Sequence, residues 1–243
     1  MTYCLALKLD EGLICLSDTR TNAGVDNISK YKKMFTWNVP GERVICMMTA
    51  GNLAVTQAVM SLLQENIDNP KEGIDTLYTA PSMFRVAEIV ADAMRVVMGQ
   101  YGAGLAAAGE SAASTIIVAG QRVGGRQRLF LVYSAGNFIE AGDDTPFFQI
   151  GENKYGKPIL DRVIEPATPL ATGIVAALLS MDSTLRSNLS VGMPLDLAVM
   201  EADTFQFDQQ RRIDENDAGY RNLSNAWSEA IRASFDDMVK FSV

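Results

Sequence analysis

Residues 2–9 (TYCLALKL) and 12–18 (GLICLSD) are apolar runs joined only through Asp10-Glu11-Gly12, which forces an antiparallel hairpin at the head of the chain. A second strand pair is expected at 31–38 (YKKMFTWN) and 43–49 (RVICMMT), around Val39-Pro40-Gly41-Glu42, where Pro and Gly supply the turn chemistry. Apolar residues at three- and four-residue spacing then predict amphipathic helices over about 53–67 and 82–100. A further hairpin follows at 115–121 (TIIVAGQ) and 128–134 (RLFLVYS), across the glycine-rich turn of Gly120 to Arg126. Helices are expected again at about 152–163 and 168–186, with strand-like runs at 196–207 and near Arg211 to Asp214. In a last helix over about 222–240, Trp227, Ile231, Phe235 and Met238 share one face.

Tight hairpins demand antiparallel sheets, and helices delivered in pairs between them cover the outer faces of two packed sheets. The fold class expected is therefore α+β, a four-layer αββα sandwich of two antiparallel sheets. The 243 residues contain no linker and read as a single domain over 1–243.

A formal charge of −8 with no basic stripe argues against a nucleic-acid partner. No signal-peptide pattern opens the chain and no apolar run reaches membrane-spanning length, so the expectation is a cytoplasmic protein with no membrane contact. Cys4, Cys15 and Cys46 are odd in number and embedded in apolar runs, which suits reduced core thiols better than disulfides or a metal site. No metal or cofactor is expected. The stretches Tyr101-Gly102-Ala103-Gly104 and Gly124-Gly125 lack the GK[ST] ending of a phosphate loop and read as loops.

The chain has no histidine. That removes Ser-His-Asp, Cys-His and His-ligated metal chemistry together, so any nucleophile must be activated by something else. Thr2 offers a substitute: with Met1 removed it carries a hydroxyl and a free α-amine, and an α-amine has an ordinary pKa of about 7.7–8.0. A hairpin turning at residues 10–12 places Thr2 opposite Asp18 to Arg20, give or take one residue. Asp18 follows the apolar run LICLS and needs a charged partner, which Lys32 or Lys33 can supply; the two point to opposite faces, so only one faces inward. A lysine near the threonine hydroxyl eases formation of an alkoxide-like oxygen, and Gly51, at a strand-to-helix corner, offers an amide for an oxyanion. Each feature has a plainer reading, since charges at strand ends are commonly solvated.

The segments Thr2 to Leu9, Ser17 to Gly24, Tyr31-Lys32-Lys33-Met34 and Thr49-Ala50-Gly51-Asn52 resemble proteasome β-type subunits and their bacterial relative HslV, which are N-terminal nucleophile hydrolases. Gly151 to Gly156, Ser187 to Gly192 and the RRIDEND and AWSEAIRASF stretches are most similar to the bacterial homologues called Anbu. The resemblance spans nearly the whole chain. It implies Thr2 as nucleophile and its amine as base, Asp18 and Lys33 as the activating pair, Arg20 bracing Asp18, and the Gly51 amide as oxyanion donor. Ser187 and Ser190 match the positions that hydrogen-bond around the threonine amine, but Ser187 stands where active proteasome subunits carry an aspartate. Thr21, Thr49 and Leu53 match substrate-binding positions, of which Thr49 and Leu53 line the pocket for the side chain before the cleaved bond. The function implied is a threonine-type peptidase within a ring-like or helical homo-oligomer. The alternatives are a small-molecule amidase on the same scaffold or a non-catalytic assembly subunit.

Overall fold

The computed structural model describes residues 2–22 and 28–241; Met1, and the Ala23-Gly24 end of one family-like segment, lie outside them. In chain order the elements are β1 (Tyr3–Leu9), β2 (Gly12–Asp18), β3 (Arg20–Asn22), β4 (Ile28–Lys30), β5 (Met34–Val39) and β6 (Arg43–Gly51). Then come α1 (Leu53–Asp68), α2 (Met83–Ala107), β7 (Ser114–Arg122), β8 (Arg128–Val132), β9 (Phe138–Glu140) and β10 (Phe147–Gly151). The chain continues through α3 (Lys157–Val163), α4 (Leu170–Ser187), β11 (Leu195–Glu201), β12 (Gln209–Ile213) and α5 (Ala218–Met238).

Ten of the strands make two antiparallel sheets, ordered β10-β1-β2-β11-β12 and β5-β6-β7-β8-β9, while β3 and β4 pair separately. The period of two along a strand explains how the sheets become inner layers. On β1, Tyr3, Leu5, Leu7 and Leu9 face a core shared with α3 and α4, including Leu160, Ala177 and Met181. The intervening Cys4 and Ala6 face the other sheet, against Cys46, Met48 and Ile117. On β6 the same alternation sends Ile45 and Met47 toward α1 and α2, where Val59, Leu63 and Val90 lie. Both faces of β1 and of β6 are thus largely buried, and the molecule is the αββα sandwich expected.

The element boundaries show where pattern reading falls short. Strand β5 begins at Met34 rather than residue 31, and β11 ends at Glu201, ahead of Asp203 and Phe205, which hold φ of 63° and 53°. The helix expected from 152 starts at Lys157, with Pro158 in its first turn, where the missing N–H costs nothing. The residues before it, Phe147–Gly151, are the edge strand β10. Tyr101 to Gly104 belong to α2 and not to a loop. Helix α5 starts at Ala218 because Asp217 accepts a hydrogen bond from the Tyr220 amide at 2.8 Å. Among the described residues no helix is long and apolar enough to cross a membrane, and no group of acidic and cysteine side chains is placed to hold a metal.

All three cysteines are buried between the sheets as free thiols, and burial pushes Cys4 well above the usual thiol range. The native protein should therefore resist a thiol reagent such as dithionitrobenzoate at pH 8, and all three thiols should react after unfolding in guanidinium; rapid native labelling of any one contradicts this packing.

Candidate active site

At one end of the sandwich the first hairpin, the start of β5, the end of β6 and the end of β10 converge. The hairpin register pairs Cys4 with Ser17, so one step further Tyr3 faces Asp18 and Thr2 faces Thr19. Thr2 is held from the β10 side. Its carbonyl accepts the Glu152 amide at 2.7 Å, and Gly151 approaches so closely that a Cβ there would lie 1.9 Å from that oxygen. Gly151 also holds φ at +82°, which only glycine adopts without cost. Next door, the Tyr3 hydroxyl lies 2.6 Å from Ser180 Oγ of α4 and accepts from Gln149, and burial pushes it up to about 12.

Asp18, fully buried at the end of β2, is the centre of the network. Its Oδ1 accepts from Lys33 Nζ at 2.6 Å and from the Tyr3 amide at 3.1 Å. Its Oδ2 accepts from the amides of Arg20 and Gly192, both at 3.2 Å. Burial lifts the Asp18 pKa above that of a free aspartate, with Lys33 and the Tyr3 and Gly192 amides pulling against that rise. Lys33 is 3% exposed and also donates to the Arg20 carbonyl. Lys32, by contrast, is exposed and lies over the Phe35 ring, so the inward lysine is Lys33.

The position of Lys33 is tied to β6, because the Thr49 amide donates to the Lys33 carbonyl at 3.0 Å. Two residues on, Gly51 ends β6 with φ of +105°, packed so tightly on Ala113 that a Cβ would lie 2.1 Å from its carbonyl oxygen. Asn52 locks that corner: its side chain caps α1 by accepting from the Val55 amide at 3.1 Å and donates to the Ser111 carbonyl at 3.0 Å. A cleft of about 690 Å³ opens here, and Thr2, Thr21, Lys33, Thr49, Gly51 and Leu53 all line it. Six of the ten residues singled out in the sequence therefore share one cavity, with Asp18 directly behind it.

The other three sit differently. The Arg20 guanidinium does not brace Asp18; it donates to the Leu189 carbonyl at 2.9 Å, and Arg20 serves Asp18 through its backbone amide. Ser187 is the exposed last residue of α4, and Ser190 is half-buried, with its amide donating to Asn188 Oδ1 at 2.9 Å. Neither lines the cleft. The segment reaches the Thr2 neighbourhood through Asn188, whose side chain donates to the Glu152 carboxylate at 3.0 Å. Glu152 and Asn52 are the residues that sequence reasoning missed. Glu152 falls where the pattern predicts the start of a helix, whereas an asparagine cap after Ala50-Gly51 is a legible signal.

No family model and no curated protein matches the chain. Solved structures do. A mutant of Anbu from Hyphomicrobium sp. strain MC1 is 52% identical, with 97% of each chain covered and a TM-score of 0.91. This chain belongs to the Anbu family. It is similar also to Anbu, described as an ancestral beta-subunit, from Yersinia bercovieri, at 43% identity, 96% of each chain and a TM-score of 0.90. The Anbu complex of Pseudomonas aeruginosa, described as a helical assembly, is 44% identical over 99% of this chain and 97% of that one, with a TM-score of 0.89.

Removing one member of the Asp18–Lys33 pair leaves a buried charge uncompensated, a loss of about 3–5 kcal/mol. Lys33→Met should therefore be destabilised by that amount in urea unfolding, and adding Asp18→Asn should restore much of it. Equal or additive losses contradict a coupled buried pair.

Proposed function

We propose that the chain is a threonine-type amide hydrolase acting on peptides. The reading is carried by one observation: Thr2 and the Asp18-paired Lys33 line the same cleft as Gly51. With Met1 removed, the Thr2 amine takes the hydroxyl proton while Oγ forms a bond to the substrate carbonyl carbon. The Lys33 ammonium eases the developing negative charge on Oγ, and Asp18 holds that ammonium in place. The carbonyl oxygen becomes an oxyanion facing the Gly51 amide, and one such donor is worth about 2.7–4 kcal/mol in related chemistry. As the C–N bond breaks, the Thr2 ammonium returns its proton to the leaving amine, giving an ester on Thr2. Water, deprotonated by the same amine, then releases the acid and regenerates the hydroxyl. Thr49 and Leu53 give the cleft the modest, partly apolar lining that a small side chain would fill.

Self-association belongs to the same reading. The family includes a helical assembly, in Pseudomonas aeruginosa, and this chain is 44% identical to that protein over nearly its whole length. We propose a large homo-oligomer here also.

A second reading, a non-catalytic assembly subunit, draws on one observation. Ser187 is exposed at the end of α4, so no carboxylate from that segment reaches the cleft to hold the amine.

One experiment separates them. Protein beginning at Thr2 should be covalently labelled by a peptide epoxyketone or vinyl sulfone, with the adduct located on Thr2 by tandem mass spectrometry. Labelling should vanish in Thr2→Ala and fall at least a hundredfold in Lys33→Ala. No adduct in the unsubstituted protein, or undiminished labelling in Thr2→Ala, excludes the hydrolase reading and leaves the assembly role.

A further inference from the structure

The charged groups lining the cleft are unequal. Lys33 is committed to Asp18 at 2.6 Å. The other is Glu110, an exposed acid on the turn between α2 and β7, which makes no ion pair or side-chain hydrogen bond among the described residues. Its place is fixed. Helix α2 ends by passing its Leu105 carbonyl to the Glu110 amide at 2.9 Å, with Gly109 turning the chain at φ of +76°. One residue on, the Ser111 carbonyl accepts from the Asn52 side chain at 3.0 Å, and the Asn52 amide donates to the Ala113 carbonyl at 3.0 Å. The bonds that lock the Gly51 corner therefore also hold Glu110 on the wall of the cavity.

Past that corner the space continues. Ala54 lines the cleft and also a groove of about 480 Å³ between α1 and the end of α2, walled by Ala58, Tyr101, Gly104 and Leu105. Leu53 and Ala54 follow Gly51 on the cleft wall, and Ala54 leads from there onto the apolar groove.

We propose that Glu110 selects substrate, so that the cleft takes peptides carrying a lysine or arginine side chain near the bond presented to Thr2. The inference rests on the hydrolase reading for the direction of the peptide and adds to it the charge of the substrate. An accessible carboxylate in an otherwise uncharged stretch of wall attracts an ammonium or guanidinium and repels a second carboxylate. Because Glu110 is exposed the effect is modest, about a five- to tenfold spread in affinity between oppositely charged peptides.

The test removes the chemistry so that its failure is distinct from that of the hydrolase reading. Three fluorescein-labelled hexapeptides, identical except for lysine, norleucine or glutamate at one position, are titrated into the full chain carrying Thr2→Ala, and binding is read by fluorescence anisotropy. The lysine peptide should bind about five- to tenfold more tightly than the glutamate peptide, with norleucine between. Adding Glu110→Gln should bring the three together, and Glu110→Lys should reverse the order. Equal affinities in the Thr2→Ala protein, an order that survives Glu110→Lys, or no binding of any peptide at millimolar concentration overturns the proposal. Covalent labelling of Thr2 by a neutral probe is measured separately and bears only on the hydrolase reading.

Discussion

The Asp18–Lys33 ion pair is the constraint around which the rest of the site is arranged. It joins the two sheets at one end of the sandwich, since Asp18 closes β2 in one and Lys33 leads into β5 of the other. A carboxylate in that position is costly unless every lone pair finds a donor, and four donors meet it: Lys33 and the amides of Tyr3, Arg20 and Gly192. Those donors come from the first strand, the start of β3, the loop before β11 and the approach to β5. Satisfying one charge therefore fixes four pieces of backbone, including the one that carries Thr2.

That arrangement has a chemical meaning because it is not the cheapest way to fill the space. A buried ion pair replaced by apolar groups of similar volume is often neutral or more stable. Under the proposed hydrolase reading, the pair holds an already desolvated ammonium in the cleft that Thr2 also lines. The same logic covers the glycines. Gly151 and Gly51 admit no side chain because Thr2 presses on one and Ala113 on the other, and both glycines line the cleft with Thr2.

Much of this was legible in the sequence, and the reasons are local. The hairpin at Asp10-Glu11-Gly12 sets its own register by turn length, so the partner of Thr2 could be read to within one residue. The paired helices between hairpins gave the layers. Between Lys32 and Lys33 the residues alone leave the choice open, because alternation says that one faces in but not which; the bond from Lys33 to the buried Asp18 carboxylate decides it. Short edge strands such as β9 and β10 carry too few residues to show a period, so β10 gives no sequence signal, and Glu152 just after it falls at the start of an expected helix. The Arg20 guanidinium turns to the Leu189 carbonyl, a partner so distant in sequence that nothing near Arg20 announces it. Glu110 had no signal at all, since its role follows from a loop held in place by Asn52, more than fifty residues away.

In a chain without histidine, the proposed chemistry requires one amine to act as the base for one hydroxyl. The most direct measurement is the pH dependence of covalent labelling at Thr2, comparing protein that begins at Thr2 with protein in which Met1 is retained. The account predicts a rate that rises with an apparent pKa near that of an α-amine, about 7.7–8.0, and is lost when Met1 blocks that amine. A rate independent of pH over that range, or equal in the two proteins, would contradict it.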